Sequence, residues 1–450
     1  MPYVIAIIAG LSGFLFGYDE GVIAGALAAL HARFSLAPLV EGLITAAVPF
    51  GALFGSLAGG RLADSLGRRG ALVTAGTLFA AGAALSALAD GAAVLCAARL
   101  TLGLAIGFAA VAAPLYIAEN APPAHRGMLV SFYQLAITLG ILGSYTAGFA
   151  LGEGWRTMFA IGALPGAALA LAMLAMRDTP RWLVLRGRDG EARAVLARSA
   201  PGATAEELEA QLQEIRDAAR APHQNAAAWT ALFSRRVLPA TIVGVGLFAL
   251  QQLSGINAVI YYAPMVFAAS GFDTHAAQLM ATIGVGAVNV AVTVLAMALI
   301  DRIGRRRMLY LGFSVTAASL AVIAVAAASG AAWLNAVALA GLFAYIAGFA
   351  ISLGPLPWLM MSEIFPLDVR PLGMGLAAIS NWTLNALVVM LFPMALSAFG
   401  LALTFAFFAA CCAAGLAFTR LYVPETAGAS LEQIEAKLSA GAAGVAGARG

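Results

Sequence analysis

Long apolar runs separated by short polar breaks dominate this chain of 450 residues. The runs cover residues 3–29, 39–60, 70–89, 92–118, 128–150 and 157–176. After one long polar stretch they resume at 237–268, 276–300, 308–329, 333–360, 373–397 and 400–422. Each run is about as long as the ~20 residues that carry a helix through a bilayer core. Lipid offers the backbone no partner, so a spanning segment must bond to itself, which a helix does. The pattern predicts an all-α membrane protein with twelve transmembrane helices in two six-helix bundles. The domains follow as residues 1–176 for the first bundle, 177–236 for a linker with short helices, 237–422 for the second bundle and 423–450 for a tail.

Composition narrows the class. Hydrophobic residues make up 62% of the chain and charged residues 10%, too little charge to cover the surface of a soluble protein. Net charge is +3, with the basic residues in short loop clusters, which is no footprint for nucleic acid. Cys96, Cys411 and Cys412 lie in apolar runs without ligand spacing and read as small core residues, so no metal site is expected. No Lys or Arg precedes Arg33, so the first run lacks the basic region of a secretory signal and reads as a retained span. Heavy Ala and Gly usage suits closely packed membrane helices.

Positive charge sets the expected topology. With the N-terminus inside, the loops bearing Arg61, Arg68, Arg69, Arg126, the polar linker, Arg302, Arg305, Arg306, Arg307 and Arg370 are all cytoplasmic, as are Arg420, Lys437 and Arg449. Only Arg33 and Arg156 fall outside, and Arg99 alone lies within a span. Both termini are therefore expected in the cytoplasm.

The halves repeat each other. Asp64-Ser65-Leu66-Gly67-Arg68-Arg69 recurs as Asp301-Arg302-Ile303-Gly304-Arg305-Arg306, and Glu119 with Arg126 recurs as Glu363 with Arg370. Repeated bundles are a transporter architecture, with the substrate site expected near mid-membrane. The linker predicts a short helix after the capping pattern Thr204-Ala205-Glu206-Glu207, with Leu208, Leu212 and Ile215 on one face. A similar helix is expected from Ser430. Such segments either rest on the cytoplasmic face or are plain solvated connections.

Candidate chemistry sits in the spans. Asp19, within Phe16-Gly17-Tyr18-Asp19, is an ionisable group at membrane depth and needs an interior partner. Arg99 is the natural one. A carboxylate beside an arginine stays ionised, whereas one separated and dehydrated takes a proton, so the pair reads as a proton switch or as a static lock between helices. Glu20, the next residue, points elsewhere on the helix and could share the role.

Span 7 carries Gln251-Gln252-Leu253-Ser254-Gly255-Ile256-Asn257, then Tyr261 and Tyr262. A Ser-Gly step there can loosen the helix and turn successive amides into one cavity. Amides donate and accept in a fixed plane, which suits a neutral polyhydroxylated ligand better than a cation or a lipophilic drug. Gln134, Asn289, Asn381 and Asn385 extend this inventory, although any one of them alone would more often be a helix–helix hydrogen bond. Trp358 follows Gly354-Pro355-Leu356-Pro357, which must break or bend span 10, and Trp382 adjoins Asn381. Indoles suit the apolar faces of sugar rings and equally suit bundle packing. No metalloprotease, phosphate-loop or zinc spacing occurs, and His31, His125, His223 and His275 fall in loops or at span ends, so neither an enzyme nor an ATP-driven pump is indicated.

Taken together, these residues resemble the sugar porter family of the major facilitator superfamily, from Gly17-Tyr18-Asp19 to Pro424-Glu425-Thr426. The resemblance rests on the two Gly-Arg-Arg loops, Arg99 with Pro114-Leu115-Tyr116-Ile117-Ala118-Glu119, Arg126-Gly127 with Gln134, the span 7 motif and Asn381-Trp382. It implies the major facilitator fold and a proton-coupled monosaccharide symporter without cofactor. Asp19 is the protonated group and Arg99 its partner; facilitators of the family carry Asn at the first position. The resemblance places Gln134, Gln251, Gln252, Asn257, Asn289, Trp358, Asn381 and Trp382 on the sugar, with Phe16 and Gly354 lining the pocket. It makes Arg68, Arg69, Glu119, Arg126, Arg305, Arg306, Glu363 and Arg370 a cytoplasmic gate. Ser65, Asp178, Ala427 and Ala429 depart from the family pattern at that gate. The expected partners are a monosaccharide, protons and the lipid of the cell membrane, with the chain acting as a monomer. A passive facilitator is the alternative, and a sugar sensor with so short a tail is a remoter one.

Overall fold

The computed structural model describes residues 2–120, 126–199, 202, 204–220, 229–366 and 369–426. The side chain of Arg126 and the tail helix expected from Ser430 lie outside the described residues. The first half holds α1 (Pro2–Phe34), α2 (Pro38–Ala87), α3 (Ala92–Asn120), α4 (Arg126–Leu151) and α5 (Trp155–Ala175). Linker helices α6 (Pro180–Leu185), α7 (Asp189–Ser199) and α8 (Ala205–Arg220) follow. The second half holds α9 (Leu238–Leu253), α10 (Ile256–Ala269), α11 (His275–Ile303), α12 (Arg305–Ala328), α13 (Leu334–Gly348), α14 (Leu356–Ile364) and α15 (Arg370–Tyr422).

Ten candidate spans are long and apolar enough to cross a membrane among the described residues. Two of them each carry two crossings: α2 turns at Gly67 (φ 84°) and α15 at Gly400 (φ 70°). Twelve crossings result, as the apolar pattern requires. Two more spans are each a pair of helices. Span 7 breaks at Gly255, whose φ of 87° is left-handed, between α9 and α10. Span 10 passes from α13 through a π-helical turn, Phe349–Leu353, into α14.

Residues cluster into two compact units. The first contains residues 1–22, 47–147 and 151–223; the second contains 23–46, 148–150 and 224–450. The far end of the α1–α2 hairpin thus groups with the second unit, and the linker helices with the first, so the units do not coincide with simple halves of the chain. Gly42, in that hairpin, lies against the Met390 backbone, where a Cβ would collide with the carbonyl.

Within the first unit, Gly17 rests on the Ile137 carbonyl, fixing α1 against α4 at backbone distance. Small residues permit this approach, and dispersion between closely packed helices is what holds a bundle together in lipid. In the linker, Thr204 and Glu207 exchange the two bonds of a capping box at 2.8 and 3.2 Å. Leu212 then packs with Leu183, Ala192 and Val195 in a small core of its own.

Candidate functional site

The ionic centre lies in the first unit. Asp19 on α1 and Arg99 on α3 approach to 3.5 Å (Nη1–Oδ1), with side chains 2% and 1% exposed. Arg99 also stands over the Phe159 ring, 5.8 Å from its centroid. The contact is an ion pair at the long end of hydrogen-bond reach. A buried ion pair stabilises a fold only when its remaining polar atoms are satisfied. Phe16 and Gln134, both half-buried on α1 and α4, belong to the same unit.

The amides lie in the second unit, where the break at Gly255 joins them. Asn257 donates to Gln252 Oε1 at 2.8 Å, and Gln252 donates to Asn381 Oδ1 at 2.7 Å. Gln251 donates to the Leu353 carbonyl at 2.6 Å, at the end of the π-helical turn. A π-turn and a helix break both leave backbone carbonyls without their usual partners, and the glutamine fills one such vacancy. Ser254 closes the break by donating to the Gln251 carbonyl at 2.6 Å. All four amides are buried, as are Asn289 and Asn385, and Asn385 Oδ1 has no hydrogen-bond partner. Asn289, on α11, is not a member of the bonded chain. Gly354 and Trp382 are buried, while Trp358 is 42% exposed and meets Phe248 edge-on at 4.7 Å. The result is a set of buried amides whose donors and acceptors are held in place by one another and by the Leu353 carbonyl.

The third cluster is present twice. In the first unit Arg68 Nη2 donates to Glu119 Oε1 at 3.1 Å, and Thr179 Oγ1 donates to Glu119 Oε2 at 2.6 Å. In the second, Arg305 Nη2 donates to Glu363 Oε1 at 3.1 Å, and Thr426 Oγ1 donates to Glu363 Oε2 at 2.5 Å. Each Gly-Arg-Arg turn also cradles an acid on its backbone N–H groups. Asp178 accepts from Arg68 N at 3.0 Å, and Glu425 accepts from Arg305 N and Arg306 N at 3.0 and 3.1 Å. The glycine is required twice over: Gly67 and Gly304 have φ of 84° and 93°, and a Cβ on either would run into the cradled carboxylate. Burial pushes the Asp178 carboxyl above its ordinary range, opposed by the N–H bonds it accepts and by Arg68.

Asp178, Thr179, Glu425 and Thr426 are thus parts of these clusters that are not among the expected gate residues, although Asp178 is a noted departure from the family pattern and Glu425-Thr426 is part of the resemblance. A repeated acid-Thr step after the sixth and twelfth spans was the available signal. Asp178 departs from the family pattern and accepts from the Arg68 and Thr179 backbone N–H groups. Other expected members play different parts: Arg69 donates to the Met173 and Leu174 carbonyls, Arg306 Nη2 to the Arg420 carbonyl, and Arg370 Nε to the Phe365 carbonyl. Glu363 therefore pairs with Arg305, and Arg370 serves the chain turn instead.

Comparison with known proteins agrees with this architecture. The family model described as "Sugar (and other) transporter" matches residues 5–438. A D-xylose transporter from Levilactobacillus brevis is 37% identical over 96% of this chain and 94% of its own. The galactose-proton symporter of Escherichia coli K12 is 37% identical over 98% of this chain and 95% of its own. Among solved structures, the inward open conformation of the xylose transporter XylE from E. coli superposes with a TM-score of 0.85 at 29% identity, covering 97% of this chain and 100% of that one. With the fold, the duplicated arginine turns and matches of this extent in agreement, the chain belongs to the sugar transporter family of the major facilitator superfamily.

Proposed function

We propose that the protein is a proton-coupled monosaccharide symporter working by alternating access in the cell membrane, with both termini cytoplasmic and the monomer as the working unit. The observation that carries the coupling is the Asp19–Arg99 ion pair, 3.5 Å apart with both side chains buried. Protonation of Asp19 from outside removes its charge and frees Arg99; deprotonation inside restores the pair. A membrane potential of 100 mV supplies about 2.3 kcal/mol per proton, worth roughly 50-fold accumulation.

Sugar binds through the amides Gln251, Gln252, Asn257, Asn289 and Asn381, and Gln134 is a further sugar contact of this proposal. Trp358 and Trp382 meet the apolar faces of the ring, and Phe16 and Gly354 line the pocket. Amides with both donors and acceptors fixed in place match hydroxyl groups that themselves do both. The Gly-Arg-Arg turns, with Glu119, Glu363 and their threonines, hold the cytoplasmic gate. The gate members Arg69, Arg306 and Arg370 act through carbonyl contacts around it, and Arg126 is a further member of this proposal.

Uptake of labelled sugars into proteoliposomes, with and without an imposed inward proton gradient, tests the reading. The expected result is gradient-driven overshoot with at least one hexose or pentose. Uptake that only equilibrates makes the protein a facilitator, and uptake of none removes sugar as the substrate. Asp19→Asn is expected to keep sugar exchange while accumulation at 100 mV falls about 50-fold; undiminished accumulation in that variant removes Asp19 from the coupling.

A further inference from the structure

Spans 7 and 10, each a pair of helices, have their breaks tied together by one tyrosine. Helix α9 ends at Leu253 with Ser254 as its cap, and the carbonyls at a helix's end have no intrahelical donor. Tyr345, on α13, supplies one. Its hydroxyl donates to the Ser254 carbonyl at 3.0 Å, and the Tyr345 and Ser254 hydroxyl oxygens approach to 3.3 Å. Ser254 Oγ in turn donates to the Gln251 carbonyl at 2.6 Å, and Gln251 Nε2 donates to the Leu353 carbonyl at 2.6 Å. Tyr345 precedes the π-helical turn Phe349–Leu353, and Leu353 ends it. The bonds therefore form a circuit that leaves span 10 on one side of the turn, passes through the end of α9 and returns to span 10 on the other side.

Such a circuit does what a single bond cannot. One hydrogen bond between two broken helices is a pivot; two at separated points also fix the angle between them. Gln251 sits at the centre, its backbone held through Ser254 and its amide held by Leu353. Without the Tyr345 hydroxyl only the amide end is tied to span 10, and the Ser254 carbonyl is buried without its donor. Tyr345, Ser254 and Leu353 are each 0% exposed, so Tyr345 acts through its neighbours and not on a ligand. Bundle packing uses the tyrosine ring and has no need of the hydroxyl, which is the atom that closes the circuit.

We infer that Tyr345 is a positioning residue for sugar binding: its hydroxyl, through Ser254, sets the orientation of Gln251 and joins the breaks of spans 7 and 10 into one unit. The inference rests on the reading of Gln251 as a sugar contact.

The experiment is equilibrium exchange, in proteoliposomes, of the labelled hexose or pentose that wild type takes up, with no imposed proton gradient. Tyr345→Phe removes the hydroxyl and keeps the ring. It is expected to raise the KM for exchange about 5- to 10-fold, the effect of one lost buried hydrogen bond, with the maximal rate per folded protein within about twofold of wild type. A lowered unfolding midpoint with an unchanged KM makes Tyr345 structural alone and overturns the inference. The route through Gln251 is read in a double-variant cycle. On top of Gln251→Ala, Tyr345→Phe is expected to raise KM by less than about twofold, and a full multiplicative rise overturns the inference. If Tyr345→Phe yields no folded protein, or Gln251→Ala no measurable exchange, Ser254→Ala takes that variant's place, because it cuts the next link of the circuit and leaves both ends intact. It is expected to raise KM about as much as Tyr345→Phe, and an unchanged KM overturns the inference. Gln251→Ala exchanging sugar with the wild-type KM instead brings down the assignment of the sugar site itself, so the two failures are distinguishable.

Discussion

Gln252 shows how much one side chain can carry in an apolar helix. It accepts from Asn257 and donates to Asn381, so its truncation strands two buried amides at once. A buried polar group left without its partner costs about 1–3 kcal/mol. Gln252→Ala is accordingly expected to weaken sugar binding by about 10- to 100-fold, read by calorimetry on the purified protein. Binding at the wild-type level would reduce these amides to helix packing and reopen the question of a lipophilic substrate. The identities of these residues were legible in the sequence because lipid offers an amide no partner, so each one in a span demands an explanation. Their pairing was not legible. Which amide meets which depends on a backbone break that rotates Asn257 relative to Gln251 and Gln252, and side-chain spacing on an ideal helix gives a different answer.

That break is an element-scale feature, and it hangs on one residue. Gly255 sits at φ 87°, and a Cβ there would press on the Phe408 ring at 2.7 Å. A left-handed conformation costs an ordinary L-residue about 1–2 kcal/mol before any collision. Gly255→Ala is expected to lower the thermal unfolding midpoint in detergent and to weaken sugar binding, because relieving the strain straightens span 7 and misplaces Asn257. An unchanged midpoint with unchanged affinity would show that the break does not position the site. The Ser-Gly step made this break readable from the sequence. Span 10 was readable only in part: Gly354-Pro355-Leu356-Pro357 announced a disruption, but the chain absorbs it one turn earlier, in the π-helical turn Phe349–Leu353. Proline removes a donor and crowds the carbonyls of the preceding turn, so the distortion appears upstream of the residue that causes it. The crossings joined at Gly67 and Gly400 were separable because polar breaks and apolar run lengths mark them.

On the scale of the molecule, duplication is the organising fact, and it makes the gate testable as a pair. Each unit contains one arginine–glutamate–threonine cluster with an acid seated on its Gly-Arg-Arg turn. The two copies differ in shielding: Arg68 and Glu119 are 9% and 11% exposed, against 11% and 22% for Arg305 and Glu363. Water weakens the more open pair, so Glu119→Gln is expected to cost more stability than Glu363→Gln, about 2 against about 1 kcal/mol. The clusters share no side chain, so their stability effects should add within about 0.5 kcal/mol in the double variant. Transport should behave differently. If both clusters hold one cytoplasmic gate, loosening either already leaves it poorly closed, and the second substitution has less left to remove. The double variant is then expected to accumulate sugar nearly as well as the worse single variant while being less stable than either. Unfolding midpoints and uptake rates for the four proteins of this cycle decide the matter. Additive losses in both quantities would mean two independent structural clusters, and the duplicated turns would then be fold reinforcement rather than a gate.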